Sequence, residues 1–143
     1  MKLFCSHGFY RLVSGFALGL TVFLSSACSG SKLSKDDLRL AAGDVRSFAA
    51  AADLVAREQL AGHLTGTFVN TESQLLREKV DSTNKTLNAP APELEPYRTQ
   101  LVEVTSALAT AIGNIENSGA ADPQAFASMT TKARGIEETL KNK

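Results

Sequence analysis

The chain has 143 residues, with 15 lysines and arginines against 15 aspartates and glutamates and a formal net charge of zero. The charges are interspersed along the sequence, whereas nucleic-acid binding needs a basic stripe that neutralises phosphates. The composition therefore argues against a nucleic-acid partner and against a polybasic membrane-surface patch.

The first 27 residues contain the parts of a secretory signal in their usual order. Lys2 and Arg11 supply a basic segment, residues 12–24 an apolar segment, and residues 25–27 a small-residue exit. The apolar stretch falls short of the ~20 residues that span a bilayer, which disfavours an uncleaved membrane anchor. A secretory signal that is cut elsewhere and a buried helix of a cytosolic protein are two further interpretations. We predict a signal peptide over residues 1–27 that is cleaved from the mature protein.

The run from Val22 to Cys28, Val-Phe-Leu-Ser-Ser-Ala-Cys, resembles the lipobox of bacterial lipoproteins. In that family the leader is cleaved just before the cysteine, whose thiol carries a diacylglycerol, and acyl chains such as palmitate then hold the protein to the membrane. The resemblance implies that Cys28 is the lipidated residue and that the protein lives in the bacterial cell envelope. Aspartate after the cysteine tends to retain Gram-negative lipoproteins at the inner membrane. Ser29 at that position therefore implies the outer membrane in a Gram-negative host.

The mature chain predicted in this way has no free thiol. Cys5 leaves with the leader and Cys28 carries lipid, so no disulfide, thiolate metal site or cysteine nucleophile remains. Without Lys2 and Arg11, 13 basic residues face 15 acidic ones over 116 residues. Residues 28–34 form the lipidated cysteine and a short tether, and residues 35–143 form one domain.

The first predicted helix begins after the tether with a clear start signal. Ser34 is a good N-cap, and Asp37 three residues later completes a pattern like a capping box. Apolar residues then recur at steps of three and four, which predicts one buried helical face: Leu38, Ala41, Val45, Phe48, Ala52 and Val55.

Gly62 and Gly66 bracket a predicted break between the first and second helices. Either Thr65 or Thr67 would cap the second helix, which we expect to run to about Leu87. Its apolar face is formed by Val69, Leu76, Val80, Thr83 and Leu87. A single continuous helix over residues 35–87 is the alternative.

The prolines of residues 88–92 predict a loop, because proline lacks a backbone donor and restricts the residue before it. The third helix opens between Pro92 and Pro96, with a buried face at Leu94, Tyr97, Leu101, Val104, Leu108, Ala111 and Ile115. Ser118-Gly119 resembles a glycine C-cap. Asp122 and Pro123 then fit the N-cap and first position of a fourth helix, with a buried face at Phe126, Met129, Ala133, Ile136 and Leu140.

Four apolar stripes of similar length joined by short connections predict an all-α protein, an antiparallel four-helix bundle. Each stripe needs a partner because isolated helices of this length are marginal in water. Further apolar residues lie off the stripes, among them Leu54, Leu75, Val102 and Ile112. We expect them to widen the core; the alternative is that they form a binding face.

Few residues offer chemistry. His63 is the only histidine after the leader, and with Met129 it forms the one pair that would suit haem or a metal. Met129 fits a core position, where methionine fills gaps, and His63 falls in a turn. No His-Glu-x-x-His, Cys-x-x-Cys-His or Glu-x-x-His pattern occurs. We therefore expect no metal and no cofactor.

The acidic pairs at residues 36–37 and 137–138 are typical of solvated helix faces, and Glu137 is spaced to pair with Lys141. No nucleophile elbow or phosphate loop is present. With one histidine and no cysteine, the mature chain has almost none of the residues from which a nucleophile and its general base are usually built. We expect a protein that is not an enzyme, with no catalytic residues.

The sequence therefore predicts a lipid-anchored envelope protein with a non-enzymatic interaction or structural role. Its bundle would present a rigid face to another envelope protein or to peptidoglycan. The alternative is a carrier that holds a small apolar ligand between its helices.

Overall fold

A computed structural model describes residues 32–88, 90–118 and 122–142. Four helices follow one another along this part of the chain: α1 (Lys35–Leu60), α2 (Gly66–Thr86), α3 (Glu95–Ser118) and α4 (Pro123–Asn142). One 3₁₀ turn, Pro92–Leu94, leads into α3. None of the helices in the described residues is long and apolar enough to cross a membrane. The predicted leader, Cys28 and Gly119 lie outside the described residues.

The start of α1 is fixed by the predicted capping box. The backbone N–H of Asp37 donates to Ser34 Oγ at 3.2 Å, and the backbone N–H of Ser34 donates to Asp37 Oδ2 at 3.1 Å. The Ser34 hydroxyl also donates to Asp37 Oδ2 at 2.6 Å. These hydrogen bonds, led by the side-chain bond from Ser34, favour the charged carboxylate and hold the pKa of Asp37 below its usual value.

A tight turn separates α1 from α2, so the continuous-helix alternative is wrong. The N–H of Gly62 donates to Gln59 O and that of His63 to Glu58 O, both at 2.9 Å, which is the bonding pattern of a Schellman motif. Gly62 has φ of +75°, a conformation that residues with a Cβ rarely adopt. Thr65 then caps α2 by accepting from Phe68 N at 3.3 Å.

The four helices form an antiparallel bundle with one apolar core. Consecutive helices are joined by short connections and pack as neighbours, and α4 packs back on α1 in the most extensive contact of all. Largest among the fully buried side chains are Phe126, Leu38, Leu101, Leu108, Ile112, Ile115 and Leu140. At about 25 cal/mol per Å² of apolar surface, such burial is the main stabilising term.

The four off-stripe residues expected to widen the core divide into two pairs. Ile112 is fully buried, and Val102 is half-buried against the core. The expectation that Leu54 and Leu75 widen the core is wrong, because these side chains are 60% and 43% exposed. Both lie on the solvent side of α1 and α2, where no other helix of the bundle reaches over them.

The chain enters the bundle beside the loop between α2 and α3. Leu33 forms an isolated bridge with Pro90 and packs against the core. One crevice at this end of the bundle is lined by residues 32–35 together with Ala91, Glu93 and Leu94. The first described residues are therefore held against the α2–α3 loop, at the end of the bundle where α1 and α3 begin.

Candidate functional site

A groove of about 630 Å³ lies between α3 and α4. These two helices have the least extensive contact of the four neighbouring pairs, so they leave a furrow along their shared side. The floor is apolar. It is formed by the buried side chains of Val104 and Ile136 and by the half-buried Tyr97 and Met129.

Small residues keep this groove open. Ala107 on α3 and Ala125 and Gly135 on α4 line it. A Cβ placed on Gly135 would meet no atom within 4 Å, so no packed neighbour requires glycine at this position. Glycine costs about 1 kcal/mol relative to alanine in a helix interior. The space beside Gly135 therefore belongs to the open groove, and the packing of α3 on α4 does not require a glycine there.

The rim of the groove is polar and electrically balanced. Gln100, Glu103, Lys132 and Thr139 are exposed along it. One carboxylate and one ammonium group stand on opposite sides, since Glu103 belongs to α3 and Lys132 to α4. An apolar floor with a polar rim is the arrangement typical of sites for apolar or amphipathic small molecules.

A second surface feature lies on α1 and α2. Five large apolar side chains are exposed there, more than two-fifths of each being open to solvent: Leu40, Leu54, Leu60, Phe68 and Leu75. Leu40 and Leu54 are fourteen residues apart, and Phe68 and Leu75 seven apart, so each pair lies along one side of its helix.

The structure separates the two residues considered for haem or metal binding. His63 is exposed in the α1–α2 turn, where its Nδ1 lies 2.8 Å from Glu58 Oε2. Met129 lies on α4 in the groove. Among the described residues, no group of three or more His, Cys, Asp or Glu side chains could hold a metal ion.

The acidic residues at the start of α1 and the end of α4 engage other helical residues. Asp36 Oδ1 lies 3.6 Å from Arg39 Nε. The predicted pairing of Glu137 with Lys141 is wrong, because Glu137 Oε2 instead lies 3.1 Å from Arg46 Nη1 of α1. The angles at this contact do not make it a hydrogen bond, so it is an ion pair only. Glu137 therefore forms an ion pair between helices instead of the i,i+4 pair within α4.

The groove could not be found from the apolar stripes of the sequence. The stripes predict core positions for Tyr97, Val104, Met129 and Ile136, and only the separation of α3 from α4 places these residues at an opening. The one signal in the sequence is Gly135, a glycine inside a helix. No protein-family model, curated protein or solved structure matches the chain.

Proposed function

We propose that this chain is a lipid-anchored protein of the bacterial cell envelope with a non-enzymatic interaction role. The anchor is Cys28, behind the leader of residues 1–27, and Ser29 assigns it to the outer membrane in a Gram-negative host. Acylation with two or more chains gives stable membrane attachment, whereas one chain gives marginal binding.

The exposed apolar side chains of α1 and α2 support the proposed interaction role. Scattered single hydrophobic residues on a surface need no explanation, whereas a contiguous exposed apolar patch marks an interaction site. We propose that the exposed Leu40 and Leu54 on α1 and Phe68 and Leu75 on α2 belong to such a patch, here named the leucine face. Their apolar character favours an envelope protein over peptidoglycan, because a sugar polymer offers mainly polar groups.

Substitution of Leu54 by arginine tests this face in the membrane-bound protein. Leu54 is 60% exposed, so Leu54→Arg should leave the thermal unfolding temperature unchanged while it removes the crosslinked adduct that the wild type forms in its host envelope. Ala127→Arg is the matched control, since it places the same charge on an exposed position of α4. Retention of the adduct in Leu54→Arg, or its equal loss in Ala127→Arg, would refute the proposal that the leucine face binds a partner.

The groove between α3 and α4 favours a second candidate function, that of a carrier for a small apolar ligand. Its volume of about 630 Å³ lies within the range of small-molecule sites. The groove and the leucine face lie on different helices, so ligand binding and protein interaction do not compete for the same surface.

A further inference from the structure

We propose that the α3–α4 groove binds a single acyl chain supplied by the membrane to which the protein is anchored. The inference deepens the carrier function and rests on the proposed anchoring at Cys28. Four observations carry it: the length of the groove, its place in the bundle, the open space at Gly135 and its volume.

The groove is long enough for one acyl chain. Its lining runs from Tyr97 to Ala107 on α3, about 15 Å along the helix axis, and from Ala125 to Thr139 on α4, about 21 Å. The hydrocarbon core of a bilayer is about 30 Å thick and contains two leaflets, so one leaflet contributes about 15 Å of acyl chain. A chain lying along the apolar floor would therefore be covered over most of its length.

The groove also begins at the end of the bundle that the proposed anchor holds near the bilayer. Tyr97 lies three residues after Leu94, and Leu94 shares a crevice with Leu33 at the point where the chain enters the bundle. On α4 the lining ends at Thr139, near the end of that helix. Two residues earlier, Glu137 forms its ion pair with Arg46, which places this part of α4 beside the first half of α1. Three residues, 29–31, separate Cys28 from Lys32, so a lipid on Cys28 would keep the start of the bundle within about 15 Å of the membrane.

Gly135 provides the space that an alkyl chain requires. No protein atom lies within 4 Å of the position its Cβ would take, although alanine would be the better helix former. Gly113 on α3 has equally open space and is not part of the groove lining. The chain therefore contains its own control for a substitution at a helical glycine.

The volume of the groove suits an alkyl chain. It is about 630 Å³, within the range of small-molecule sites, whereas a helix with side chains is about 10 Å across. An alkyl chain is much thinner and can lie on the floor between Val104 and Ile136 with the polar rim closing over it.

The test measures fatty-acid binding by residues 29–143, which include every residue of the apolar core. The probe is the fluorescent fatty acid cis-parinaric acid, displaced by hexadecanoate. We expect saturable binding to the wild type, and affinity weakened about ten-fold or more in Gly135→Leu, because even one methylene in an apolar site changes affinity by about ten-fold. Gly113→Leu should bind within about two-fold of the wild type, because its side chain lies outside the groove.

Equal fatty-acid affinity in Gly135→Leu and Gly113→Leu would overturn the proposal. A wild type that binds no fatty acid would also overturn it, and so would a dimer, detected by sedimentation, in which a second copy covers the groove. If Gly135→Leu unfolds, Gly135→Ala provides the same comparison with Gly113→Ala, because alanine is favoured in helices and still narrows the groove. The tested fragment, residues 29–143, lacks Cys28. A negative result would therefore refute the acyl-chain site alone, and failure of the anchor would be seen separately in acyl labelling of Cys28.

Discussion

At the residue scale, Ser34 and Asp37 decide where α1 starts. Replacement of Ser34 by alanine removes the acceptor for the backbone N–H of Asp37 and should lower the free energy of unfolding by about 1 kcal/mol. Urea denaturation measures this loss. Ser47→Ala is the control, because the Ser47 hydroxyl only donates to the Gly43 carbonyl within the helix, and its loss should change stability by no more than about 0.5 kcal/mol.

The same pair predicts how the loss depends on pH. The pKa of Asp37 is lowered in the folded protein, chiefly by the Ser34 side chain, so its contribution to stability is present above the unfolded pKa and disappears as the pH falls through the folded pKa. The stability difference between wild type and Ser34→Ala should therefore shrink as the pH falls below about 4. A difference that is constant from pH 7 to pH 2 would show that the capping carboxylate plays no part.

At the element scale, burial and not helix propensity determines what each leucine contributes. Leu108 is fully buried on α3, whereas Leu54 is 60% exposed on α1. Leu108→Ala should lower the free energy of unfolding by about 2–5 kcal/mol, the cost of lost burial plus a cavity. Leu54→Ala should change it by no more than about 0.5 kcal/mol. Similar losses in the two variants, measured in urea, would contradict the packing described for the bundle.

The helices are largely predictable because their signals are local. The capping box at Ser34, the glycines after α1 and Asp122-Pro123 before α4 all act within a few residues, and the helices begin or end beside them. Properties that depend on a partner helix are not predictable. Leu54 and Leu75 are apolar but exposed, and Glu137 reaches Arg46 on α1 because interhelical distances are absent from a one-dimensional pattern.

At the scale of the whole molecule, the packing of the four helices is uneven, and this unevenness creates the candidate site. α1 and α4 pack closely, which is consistent with the many buried alanines of α1, while α3 and α4 leave the groove between them. An apolar stripe predicts that a residue faces another helix. It does not predict how far away that helix is, so the stripes alone place Met129 and Tyr97 in the core.

The groove and the leucine face occupy different parts of the bundle. Leu33, Pro90 and the start of α3 lie at one end of the bundle, and the lining of the groove on α3 begins near that end, at Tyr97. The exposed leucine face runs along α1 and α2 instead. Under the proposed anchoring at Cys28, the end of the bundle at Leu33 and Pro90 is the one tethered to the membrane.

The proposed location of the protein depends on lipid at Cys28, which acyl labelling measures. The full chain is expressed in a bacterium supplied with an alkyne analogue of palmitate, and the label on the protein is measured for the wild type, Cys28→Ser and Cys5→Ser. We predict labelled, processed wild type, equal labelling of Cys5→Ser because Cys5 belongs to the leader, and no label with an unprocessed leader in Cys28→Ser. Label that persists in Cys28→Ser, or a wild type that carries none, would contradict the account.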